Sequence, residues 1–208
     1  MMTTGDALMK RKLVLAIGFV FLAILMSGCP ATLVQPYDEK LVTDTEALYK
    51  KAASIIEDGR VASPRTDQER EAISDPENHP GHFSAFETEY NGLVVDTEVL
   101  ILRAMASSEQ IDKVGQQIQA QINKLIDAGS EFQCKELAGE FGKVSLTVQN
   151  YVDLKCIILR WKERHNDDSF TQNKKILKKA NWEARKRIIF NGILALQQAE
   201  AFKKPDQQ

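Results

Sequence analysis

The chain has 208 residues, 27 Lys and Arg against 29 Asp and Glu, and a net charge near −2. Balanced charge gives no general attraction to nucleic acid, so that partner class is not expected. Three cysteines and three histidines are too few for a disulfide-dense scaffold, and they show neither CxxC, CxxCH nor zinc-ligand spacing.

Three basic residues, Lys10, Arg11 and Lys12, precede an apolar run from Leu13 to Met26, followed by Ser27, Gly28 and Cys29. A run of about 14 residues suits a secretory signal core and is short of the about 20 that a spanning helix needs. The stretch resembles a bacterial lipoprotein signal with its lipobox, here Met26, Ser27, Gly28 and Cys29. That resemblance covers the first tenth or so of the chain. It implies that residues 1–28 are removed and that Cys29 takes a diacylglycerol, and usually a further acyl chain such as palmitate. Residues 29–37 would then be a lipidated tether. Met26 stands where leucine is commoner in that family. Pro30 stands where aspartate often holds such proteins at the inner membrane, which implies the outer membrane, facing the periplasm. An uncleaved anchor and an ordinary secretion signal are the competing readings. Met1, Met2 and Met9 all stand as starts.

The remainder, residues 38–204, reads as one all-α domain, rich in Ala, Leu, Ile, Lys, Glu and Gln. Asp38 opens a first helix with an apolar stripe at Leu41, Thr45, Leu48, Ala52, Ile55 and Ile56, and Gly59 is its expected C-cap. Residues 60–81 carry Pro64, Pro76 and Pro80 and read as an irregular loop, with a short helical turn over Asp67–Ile73. From Phe83 to Leu125 apolar residues recur in steps of three and four, which predicts a helix of about 45 residues, nearly 70 Å, entered by a Ser84–Glu87 capping box.

Ser130 and Gln133 begin a third stripe running through Leu137, Phe141, Val144, Val148, Tyr151 and Ile158, expected as one continuous helix to about 165–168. Cys134 and Cys156 on that one helix would lie about 33 Å apart. They are therefore expected as unpaired thiols. Ser169 and Gln172 open the last helix, which Pro205 ends. The expected architecture is an elongated antiparallel bundle of one shorter and three long helices.

Candidate chemistry is sparse. His79 and His82 lie near Asp75 and Glu77 and are weak metal-ligand candidates. His165, with Asp167 and Asp168, sits where helix dipoles favour such charges. No nucleophile elbow, HExxH or P-loop is present, so no cofactor and no enzyme activity are expected. Segment 38–98 has 15 acidic against 6 basic side chains, and 155–187 has 11 basic against 4 acidic. Lys174, Lys175, Lys178, Lys179, Arg185, Lys186 and Arg187 form a candidate face for an anionic partner; charge matching between packed helices is the plainer account. The sequence thus predicts an envelope protein of scaffolding or interaction type. It would be held to the membrane by lipid and joined through its helix faces to a protein partner or a second copy. The alternative is a module that binds an anionic or apolar ligand between helices, with Phe83, Phe86 and Tyr90 nearby.

Overall fold

The computed structural model describes residues 37–106, 123–125, 127–141 and 145–203. The signal segment, the lipobox with Cys29 and nearly all of the tether lie outside them. Leu33–Gln208 forms one compact unit.

Helix α1 spans Glu39–Ala62. Asp38 caps it, its carboxylate accepting from Lys40 N at 3.0 Å and Leu41 N at 3.1 Å. The expected stripe is the buried one, and Gly59 belongs to it. Gly59 is therefore not a C-cap. The helix runs three residues further, because the glycine is needed where the Trp182 indole lies against the backbone. Thr66 caps the short α2, Asp67–Glu71, by accepting from Glu69 N at 3.1 Å. A 3-10 turn, Phe83–Ala85, then leads into α3, Glu87–Ala106. The predicted Ser84–Glu87 box does not form; the His82 ring caps the turn at Ser84 N instead. The predicted continuation of this helix over 107–122 lies outside the described residues.

Ser130 caps α4, Glu131–Phe141, and Gln133 returns an acceptor to Gly129 N. Ser145 then caps a separate helix, α5, Leu146–Asn166. The expected continuous helix is thus two helices, and α4 packs back along α5. That reversal brings Cys134 and Cys156 to a Cα separation of 5.4 Å, where they form a disulfide. The expectation of two unpaired thiols is overturned, since it rested on an unbroken helix.

Asp167, not Ser169, caps the short α6, Asp168–Thr171. Gln172, Asn173 and Lys175 follow in the left-handed region, with φ of 54°, 58° and 49°. The last helix, α7, spans Lys179–Ala201.

The described part is all-α, with four long helices of 24, 20, 21 and 23 residues. Among the described residues the nearest thing to a sheet is one bridge, His82 to Ile176. α1 packs most extensively on α7, α3 on α5, and α4 on α5. Contact between α5 and α7 is much thinner. Among the described residues, one side of the four-helix arrangement is therefore an open seam. Across the core, the Thr45 and Tyr151 hydroxyls meet at 2.9 Å and tie α1 to α5.

The irregular 63–82 segment is held at many points. Lys179 N donates to Pro64 O, Lys174 Nζ to Ile73 O, and Phe83 N to Lys175 O. Lys178 pairs with Asp67 at 2.8 Å, and buried Arg70 reaches Ile176 O. The left-handed stretch turns the chain so that its carbonyls and lysines face this segment.

Candidate functional site

Where α1, α3, α5 and α7 come together, aromatic side chains surround one histidine. His165 continues the buried register of α5, three and four residues apart, from Tyr151 through Leu154, Ile158 and Trp161. Its ring is 5.6 Å from both Phe83 and Phe86, 5.8 Å from Tyr90 and 5.4 Å from Trp182. Trp161 and Trp182 meet edge to face at 5.6 Å. Offset and edge contacts of this kind add about 0.5–1.5 kcal/mol per pair beyond the area they bury.

The cage fixes the imidazole's protons. His165 Nε2 lies 3.2 Å from Gly81 O, which only accepts, so Nε2 carries the hydrogen. Nδ1 then accepts from the Tyr90 hydroxyl at 2.8 Å. Burial drives the His165 pKa down to about 4, and it drives the Tyr90 phenol well above its usual range. Both side chains are fully buried and both ring nitrogens are occupied. The pair is a packing element of the core, with no open face for a substrate.

A prediction follows from the neutral ring. The unfolded chain protonates this histidine near pH 6.5 and the folded one near 4, so the unfolded state binds the proton first as pH falls. Stability from this group is complete above 6.5 and is lost between 6.5 and 4. Lowering the pH from 7 to 5 is expected to remove about 2 kcal/mol through His165 alone. Urea titrations of the protein and of His165→Gln at both values test this. Equal pH dependence in the two would show that the ring contributes nothing. Glu200 and Asp153, whose pKa values burial raises, act in both proteins and cancel.

The other sequence candidates are placed as follows. His79 Nδ1 accepts from Gly81 N at 3.0 Å, and His82 Nδ1 meets Ser84 Oγ at 2.8 Å. Among the described residues no three His, Cys, Asp or Glu side chains are grouped to hold an ion. Of the basic face, Lys174 and Lys178 are engaged with the 63–82 segment, and Lys186 and Arg187 are exposed. Acidic and basic segments meet at Lys178–Asp67 and Lys155–Glu98, each at 2.8 Å. Arg185 is not on that face: it is buried, with its guanidinium over the Trp161 ring at 5.8 Å.

The α5–α7 seam was not read from the sequence. A groove of about 180 Å³ lies there, floored by Leu154, Ile157, Gly192, Ala195 and Leu196, with Asn150 and Asp153 at its rim. The lining comes from one face of each helix: Asn150, Asp153, Leu154 and Ile157 on α5, and Gly192, Ala195 and Leu196 on α7. Gly192 and Ala195 keep the helical period of α7, so the sequence alone does not mark them as groove residues.

The chain matches no protein-family model, no curated protein and no solved structure.

Proposed function

We propose that this is a lipid-anchored protein of the bacterial envelope, attached through acylated Cys29 and serving as a non-catalytic scaffolding or interaction module. The carrying observation is the basic, apolar and small-residue sequence from Lys10 to Cys29. The Cys134–Cys156 disulfide supports export independently, because such bonds persist in oxidising compartments outside the cytosol. Stable attachment fits multiple acyl chains, since each buried methylene adds about 0.8 kcal/mol. An interaction role fits the exposed apolar row Val95, Val99 and Leu102 on α3, spaced by four and three residues. The proposed partner is a protein or a second copy, and Pro30, standing where aspartate would favour the inner membrane, favours the outer membrane, facing the periplasm.

Expression of the full chain in a Gram-negative host with labelled palmitate tests this reading. Label in the protein, and its loss together with membrane partition in Cys29→Ala, is the expected result. Unlabelled protein in the cytosolic fraction would remove the proposal.

A second reading, a ligand-binding module, is favoured by the open seam between α5 and α7.

A further inference from the structure

Arg185 is an unusual buried cation. It is 7 % exposed, and burial lowers its pKa to about 10. Its polar contact is one carbonyl, Ile157 O, at 3.5 Å. Among the described residues no carboxylate lies within ion-pairing distance of it. Instead, the positive charges of Arg164 and Arg160 bear on it from α5. Glu131, whose negative charge also bears on Arg185, is itself shared between Arg160 at 3.1 Å and Lys135 at 2.9 Å. A guanidinium has five N–H donors, and one removed from water without a counter-ion is costly.

The same Ile157 whose carbonyl meets Arg185 lines the apolar groove. Arg185 does not itself line the groove; it is joined to it through Ile157, which offers its carbonyl to the guanidinium and its side chain to the groove. Asn150 and Asp153 stand one to two helical turns from Ile157 along α5. On α7, Arg185 to Ala199 spans about 21 Å. Packing does not require the gap at Gly192: a Cβ there would sit 4.0 Å from the Ile157 and Leu154 methyls, at ordinary contact.

We propose that the α5–α7 seam binds an anionic amphiphile, a single hydrocarbon chain bearing a carboxylate or phosphate head. The head sits on Arg185 with Arg164 beside it, where forked N–H donors match a planar or tetrahedral anion. The chain runs over Ile157, Leu154, Gly192 and Ala195. Asp153 would repel the head from the opposite end and so sets the ligand's direction. The groove's 180 Å³ is below the about 300 Å³ at which drug-sized sites begin, which suits one narrow chain and not a ring system or a two-chain lipid. This deepens the binding-module reading and is independent of the Cys29 anchor.

The test is a titration of the full chain with laurate, dodecyl phosphate and uncharged dodecanol, read by calorimetry and by tryptophan fluorescence, since Trp161 lies under Arg185. Saturable binding of at least one anion, with dodecanol at least tenfold weaker, is expected. Laurate alone would identify a carboxylate ligand, dodecyl phosphate alone a phosphate one. Arg164→Ala should weaken the anions several-fold and leave dodecanol unchanged. Gly192→Leu should fill the groove and abolish binding with helix content intact, which separates loss of the site from loss of the fold. Cys29→Ala should bind as the parent does, so failure of the anchor and failure of this site are separable. Absence of saturable anion binding, dodecanol binding as tightly as the anions, or binding unaffected by Gly192→Leu would overturn the proposal.

Discussion

Replacing Gly59 with alanine is expected to destabilise the protein by about 3 kcal/mol, although the same change at an ordinary helix position stabilises by about 1 kcal/mol. The sign reverses because a Cβ at Gly59 would stand 2.2 Å from Trp182 Cζ2 and 2.4 Å from Cε2 and Cη2. The indole has nowhere to go. Phe86 packs on it at 5.1 Å, Trp161 at 5.6 Å and His165 at 5.4 Å, and its Nε1 donates to Ser63 Oγ at 2.7 Å. Either α1 moves off α7 or the whole cage shifts. Chemical denaturation of Gly59→Ala, Trp182→Leu and the double variant gives the check. The two losses should not add: once the indole is gone, the alanine costs little or becomes favourable. Additive losses would mean that the close approach is not what makes glycine necessary.

Loss of the Cys134–Cys156 bond should cost about 3 kcal/mol on the loop-entropy account, for a sequence separation of 22. The cost should also be local. α4 is 11 residues long and packs chiefly on α5, so it has little else to keep it in place. In Cys134→Ala with Cys156→Ala, amide exchange should accelerate first in α4 while α1, α3 and α7 keep their protection. Free thiols titrated in the unreduced, unfolded protein would refute the bond itself. Uniform loss of protection would refute the local reading.

Much of the helical content was legible from local pattern. The stripe of α1, the Asp38 cap and the helical turn near Asp67 needed only neighbours within four residues. What was not legible depended on distant partners. Gly59 reads as a helix stop until Trp182, 123 residues later, is known to lie against it. Cys134 and Cys156 read as remote because the stripe from Leu137 to Ile158 keeps one helical period, whereas α4 ends at Phe141 and Ser145 caps a separate helix. His165 followed Tyr151, Leu154, Ile158 and Trp161 in strict register, yet its polarity suggested a helix-dipole role. The register was the better guide, since Tyr90 and Gly81 supply both ring nitrogens with partners. The seam was hidden for another reason. Gly192 and Ala195 keep the helical period, and only the thin contact between α5 and α7 reveals that nothing in the described structure fills the space beside them. Arg185 was grouped with its lysine neighbours by charge, whereas its position on the helix turns it inward.

Asp38 has a mechanical consequence. Its carboxylate both starts α1 and grips Arg103 of α3 by two parallel bonds, at 2.8 and 2.9 Å. Tension arriving along the chain ahead of Asp38 therefore passes into α3 as well as α1. The first turn of α1 cannot unwind under such a load without also breaking both bonds between Asp38 and Arg103.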